Sequence, residues 1–180
     1  MEEKEKKSIG REILEWIVCI LVALIITYIL RNFVFTLVRV DGASMDPTLA
    51  HGERLVMIRL GYEPSEGDIV VVEPDNGSGA PYIKRIIGMP GETVQIIDGM
   101  VYIDGEMLEE SYGKEVMQYS GVASDPIELG NDEYFVLGDN RNNSSDSRDP
   151  SVGNIKEDQI IGKAFIRIWP LNKFGILKHQ

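Results

Sequence analysis

Residues 68–104 read DIVVVEPDNGSGAPYIKRIIGMPGETVQIIDGMVYID. Four runs inside that length, IVVV, YIKRII, TVQII and MVYI, are short and rich in β-branched and aromatic residues. Pro, Gly and Asp separate them, which is the punctuation of strands joined by tight turns. No helix-period pattern of ordinary length interrupts the series. Asp104-Gly105 suits a two-residue hairpin, where both central residues need positive φ. The same texture continues outward in RLVMIRL (54–60), EYFVLG (133–138) and KAFIRIW (163–169). These runs predict an all-β domain, with an antiparallel β-sheet core folded as a sandwich or part-open barrel. Residues 91–132 read as a small β subdomain inserted into the main sheet. The DNGSGA stretch at 75–80 is expected to be a flexible loop, and the polar segment 109–126 the least structured part of the chain.

Towards the N-terminus the pattern changes. Trp16 to Leu30 reads WIVCILVALIITYIL, with neither a charge nor a proline. Extending it to residues 13–37, with Glu15, Arg31 and Asn32 near its edges, gives about the 20 residues that span a bilayer. A buried core helix and a cleaved secretory signal are the competing readings; large residues such as Tyr28 and Phe33 follow the apolar core where a cleavage site needs small ones. Lys4, Lys6, Lys7 and Arg11 precede the run and predict a cytoplasmic tail at 1–12. The expectation is one N-terminal transmembrane helix at 13–37, a signal-anchor in the plasma membrane. Residues 38–180 would then form an extracytoplasmic domain.

Composition narrows the function. A formal net charge of −11 argues against a nucleic-acid partner, which calls for basic patches. The single cysteine, Cys19, sits inside the apolar run, so no intrachain disulfide can form. One cysteine and two histidines make a zinc site improbable, and no cofactor is expected. The 138–148 loop, GDNRNNSSDSR, is oxygen-rich but lacks the glycine and terminal glutamate of a calcium-binding hand, so no metal is expected there.

Two residues carry the chemistry. In VDGASMDPTL, Gly42 permits a sharp turn, Ser44 follows it, and Pro47 stiffens the exit. Such a turn can display a hydroxyl and leave backbone N–H groups for an oxyanion. The bland alternative is an ordinary polar turn. In YIKRII, alternation puts Lys84 on one face with Tyr82 and Ile86, and Arg85 on the other with Ile83 and Ile87. Both faces are apolar, so at least one cation must be buried, paired or at a rim. A buried lysine favours its neutral form and can act as the base that histidine usually supplies. Snorkelling basic side chains on an edge strand are the bland alternative.

With GASMDPTL, RLVM, GDIVV, KRIIGMPGE, GDNRNNSSDSR and FIRIWPL in this order, nearly the whole chain resembles the bacterial type I signal peptidases of the compact Gram-positive type. The resemblance implies an all-β catalytic core with a smaller inserted β domain. It also implies a serine endopeptidase that removes signal peptides from exported preproteins after small P1 and P3 residues. By position, Ser44 would be the nucleophile and Lys84 the general base, with Ser144 hydrogen-bonded to the Lys84 amine. Asp139 with Arg85, and Asp146 with Arg148, would form supporting ion pairs. Val40, Met45, Tyr82 and Ile83 would line the substrate pockets. Gly42 stands where some members carry an oxyanion-binding serine, leaving the Ser44 N–H as the main donor. Implied partners are signal-peptide-bearing preproteins and the phospholipid bilayer, with the enzyme a monomer. Two rivals differ in class: a self-cleaving repressor, which would carry a DNA-binding domain where the apolar run stands, and a tethered β module that only binds peptides.

Overall fold

The structure is a computed structural model that describes residues 9–29, 34–75, 77, 79–113 and 115–178. It opens with a helix, α1 (Ile9–Ile29), followed by β1 (Phe35–Arg39), β2 (Arg54–Ile58), β3 (Ile69–Val72) and β4 (Tyr82–Gly88). Then come β5 (Thr93–Ile97), β6 (Met100–Ile103), β7 (Glu106–Met107), β8 (Ile127–Glu128) and β9 (Glu133–Leu137). The chain ends with β10 (Ile155–Lys156), β11 (Ile160–Trp169) and β12 (Gly175–Ile176). All the pairings are antiparallel.

Two sheets result. The larger runs β1-β2-β11-β3-β4-β9-β10, with β12 added beside β11. Register shifts in β11 and near the end of β4 mark irregularities that bend and twist the strands locally. The smaller sheet runs β7-β6-β5-β8 and falls within residues 93–128. Its β6–β7 turn has Asp104 and Gly105 both at positive φ (51° and 82°), as the hairpin geometry demands. The small sheet does not own its core: Val94, Ile96 and Val101 pack in one cluster with Ile87, Phe135 and Leu137 of β4 and β9.

The N-terminal expectation needs correcting in its bounds. Phe35–Leu37 are not part of an apolar span; they pair with Val56–Ile58 in the β1–β2 ladder. Alternate exposure along β1 is the period of a strand at the sheet's edge. Residues 1–8, most of the expected tail, and 30–33 of the expected span lie outside the described residues. No described helix is long and apolar enough to cross a membrane. Arg11, Glu12 and Glu15 occupy the first turns of α1, so its uncharged described part starts only at Trp16. From there to Ile29 a rise of about 1.5 Å per residue gives roughly 21 Å, against about 30 Å of hydrocarbon.

The described residues of 109–113 and 115–120 form no helix or strand, yet the 109–126 segment contributes to the core. Met117 and Ala123 are buried in the cluster under the small sheet, and Gly121–Ser124 forms a 3₁₀ turn.

Candidate active site

Three segments converge on Ser44 and Lys84. The first is the turn between β1 and β2. Val40, Met45 and Leu49 anchor it in a cluster with Leu55, Ile69, Ala164 and Leu177. Burying Val40 before the turn and Met45 just after Ser44 fixes the turn while leaving the serine half-exposed. Gly42 has φ +87°, a conformation that side chains with a Cβ rarely adopt. Its N–H donates to His51 Nδ1 at 3.1 Å.

The second segment is β4. Tyr82 and Ile86, flanking Lys84 on its face, pack with Val70, Val72, Tyr134, Val136 and Ile155. Ile83 and Ile87 on the other face join the two remaining clusters. Lys84 is therefore held on a strand apolar on both sides, with only 4% of its surface exposed. Its Nζ stands 2.9 Å from Ser44 Oγ and 5.4 Å from the centre of the Tyr82 ring. Burial disfavours the ammonium and lowers the Lys84 pKa from 10.5 to about 8, overcoming the opposing pull of the Asp146 and Asp139 carboxylates.

The third segment is the 138–148 loop after β9. Arg85 Nε and Nη2 donate to Asp139 Oδ1 and Oδ2 at 2.9 and 2.7 Å, and both side chains are buried. The Arg85 guanidinium also donates to Gly67 O, and the ring of Tyr112 lies 3.9 Å away. Arg148 makes the second bidentate pair, with Nε and Nη2 both 2.8 Å from Asp146. Asp146 also accepts the Gly138 N–H at 3.1 Å. Gly138 has no room for a side chain: a Cβ there would stand 2.3 Å from Ser144 Oγ and 2.4 Å from Ser44 O.

Not every expected role matches the geometry. Ser144 Oγ is buried beside Gly138 but makes no hydrogen bond among the described residues, so its expected bond to Lys84 is not formed. Val40 and Met45, expected to line the substrate pockets, are buried in the core under the nucleophile turn. Instead a cavity of about 100 Å³ beside Ser44 and Lys84 is lined by Val38, Val71, Tyr82 and Ile83, among others. The β9 ladder on β4 begins only at Arg85, so the Ile83–Lys84 edge beside this cavity carries no β9 strand.

Other residues at the site were not singled out from the sequence. Asn140 Nδ2 donates to Ala43 O at 3.0 Å, and its N–H donates to Ser44 O at 2.9 Å. Thr48 Oγ1 donates to Asp139. Arg141 forms a bidentate pair with Glu110, Asn142 bonds Val116 and Gln118, and Arg148 reaches Tyr119 O. The 109–119 stretch is thus fastened to the catalytic loop. Asn140 and Arg141 could have been suspected from their place beside Asp139; Glu110 and Tyr112 left no local signal.

Residues 13–169 match the family described as signal peptidase, peptidase S26. A signal peptidase I of Bacillus amyloliquefaciens is 38% identical over 181 residues, covering 95% of this chain and 96% of its own. Signal peptidase I T of Bacillus subtilis is 39% identical, covering 95% and 93%. A signal peptidase I structure from Enterococcus faecalis aligns over 57% of this chain and 97% of its own, at 33% identity with a TM-score of 0.48. Relatives matched almost end to end at these identities leave one conclusion: the chain belongs to the signal peptidase family, peptidase S26.

Proposed function

We propose that this chain is a membrane-bound serine endopeptidase that removes signal peptides from exported preproteins through Ser44 and Lys84. The observation that carries the reading is a serine hydroxyl 2.9 Å from a buried lysine amine whose proton burial has loosened. Neutral Lys84 takes the Ser44 proton as Oγ attacks the scissile carbonyl. The oxyanion develops against backbone N–H groups of the 43–45 turn, where the Ser44 N–H donates to nothing else among the described residues. Protonated Lys84 then delivers its proton to the leaving amine. Water, activated by the same amine, attacks the acyl-enzyme ester and frees Ser44. The paired Asp139–Arg85 and Asp146–Arg148 side chains support this constellation, and Ser144 stays in it as a buried hydroxyl beside Gly138.

An extended substrate adds along the Ile83–Lys84 edge, so alternate side chains point the same way. P1 and P3 therefore share one side, and the small cavity admits only small residues there. The helix α1 supplies the anchor. Its side chains from Ile9 to Tyr28 are exposed and mostly apolar, with no cover from the other described residues. The apolar run continues through Leu30 before Arg31. The bilayer provides that cover, with the Lys- and Arg-bearing N-terminal tail cytoplasmic and the β domain outside. One monomer suffices, and confinement to the surface where preproteins emerge raises effective concentration.

The test is cleavage of a preprotein by the full chain in detergent, with product N-termini sequenced. Wild type should cut after alanine at P1, Ser44→Ala should not cut at all, and phenylalanine at P1 should block cutting. Residual cleavage by pure Ser44→Ala would refute the nucleophile, and equal cleavage of both substrates would refute the pocket.

A further inference from the structure

Asn140 binds the nucleophile turn through both its side chain and its backbone, at the carbonyls that flank Ser44, and we infer that Asn140 is the positioning residue of the oxyanion site. The inference rests on the peptidase reading and goes one step beyond it. Asn140 makes two bonds to consecutive carbonyls: its Nδ2 to Ala43 O at 3.0 Å and its own N–H to Ser44 O at 2.9 Å. The amide orientation is dictated by chemistry, because its oxygen could not approach either carbonyl. In a planar trans peptide the C=O and the N–H point in opposite directions. The Ala43 carbonyl shares its peptide with the Ser44 N–H, and the Ser44 carbonyl shares its peptide with the Met45 N–H. Drawing both carbonyls onto Asn140 therefore turns both N–H groups away from the 138–148 loop.

Those two N–H groups are what an oxyanion needs, and neither donates to another group among the described residues. Earlier in the turn the Gly42 N–H is already engaged, donating to His51 Nδ1. The Ala43 carbonyl also accepts the Asp46 N–H at 3.1 Å. That bond lies within the turn, so it shapes the turn without fixing its tilt relative to Lys84. Asn140 does fix it, because Asn140 follows Asp139, whose carboxylate is held by Arg85, the residue next to Lys84. The base and the oxyanion donors are thereby tied to one frame.

Losing an oxyanion donor outright costs about 10²–10³ in kcat, and loosening its mount should cost less, about 10- to 100-fold. The test compares wild type, Asn140→Ala and the isosteric Asn140→Asp, which keeps the backbone bond but cannot donate from its side chain. Three quantities are read: kcat and KM for a preprotein, affinity for a peptide aldehyde, and thermal midpoint. Ser44 adds to the aldehyde carbonyl reversibly, and the resulting hemiacetal oxygen occupies the oxyanion site. Both variants should lose kcat by about 10- to 100-fold with KM nearly unchanged. Aldehyde affinity should fall by a similar factor while the thermal midpoint stays within a few degrees. A folded Asn140→Asp with wild-type kcat and aldehyde affinity would overturn the positioning role. So would a loss confined to KM or to the thermal midpoint. A wild type inert towards both substrate and aldehyde would overturn the peptidase reading itself, which separates the two failures.

Discussion

Replacing Lys84 by methionine should abolish activity and yet stabilise the protein, and the size of both effects follows from one displaced pKa. Burial lowers the Lys84 pKa from 10.5 to about 8. At pH 7 the neutral fraction is then about 9%, against about 0.03% at the ordinary value, a gain of roughly 300-fold in competent base. Below pH 8 the value of kcat/KM should fall about tenfold per pH unit, and above it the limb should level off. Stability moves the same way. Between pH 8 and 10.5 the unfolded chain holds a proton that folded Lys84 has lost, so wild-type stability rises with pH across that window. Below pH 8 the burial penalty on the ammonium is fully present, about 3 kcal/mol by the constant of 1.36 kcal/mol per unit. Methionine has nearly the same shape and no charge. Lys84→Met should therefore raise the thermal midpoint at pH 7 by several degrees, at about 2–4 °C per kcal/mol. The advantage should shrink as pH rises from 8 to 10.5. The assay is a pair of profiles on the full chain in detergent, kcat/KM and thermal midpoint, each from pH 6 to 10.5. A flat rate profile for wild type, or a Lys84→Met variant less stable than wild type at pH 7, would refute the argument that desolvation tunes this amine.

Two further substitutions probe the surroundings. Gly138→Ala would place a Cβ 2.3 Å from Ser144 Oγ and 2.4 Å from Ser44 O. The backbone oxygen cannot be trimmed away, so kcat should fall about 100-fold and Ser144→Ala should not rescue it, as activity assays on the single and double variants would show. Arg148→Gln should leave Asp146 buried without its bidentate partner, costing about 3–5 kcal/mol in denaturant unfolding. Because the Arg148 charge lowers the Lys84 pKa, the same variant should move the acid limb of the rate profile upward.

The parts legible in the sequence were those set by neighbours along the chain. Short runs rich in β-branched and aromatic residues, bounded by Gly, Pro and Asp, mark β3 to β6, and the Asp104-Gly105 turn follows from backbone sterics alone. The facing of Lys84 and Arg85 needs only a period of two, whereas the Asp146–Arg148 pair was implied by the family resemblance alone. What was illegible depends on distant partners. The 109–119 stretch has no periodic apolar pattern, because its order comes from Arg141, Asn142 and Arg148, more than twenty residues downstream. Val40 and Met45 flank Ser44 in sequence, but the turn that carries them is not a strand. Alternation therefore could not say that they point into the core while Val38 and Val71 reach the cavity. The end of α1 was misjudged for a similar reason: Phe35–Leu37 are apolar enough for a span, and only the β2 register reveals a strand.

The two ion pairs explain why a lysine can serve here as a base at all. A buried amine near two carboxylates should be an ammonium, since each negative charge raises its pKa. Asp139 and Asp146 are those carboxylates, and both act on Lys84 in that direction. Each, however, is already held by two nitrogens of an arginine, Arg85 for Asp139 and Arg148 for Asp146. A bidentate pair offers Lys84 a dipole rather than a net charge, and the field of a dipole dies away faster with distance. Desolvation then outweighs the residual attraction, and the pKa falls. The same carboxylates still do structural work, accepting from Thr48 on the nucleophile turn and from the Gly138 N–H. The arginines thus let the site use acidic side chains as hydrogen-bond acceptors without their charge holding the proton on Lys84.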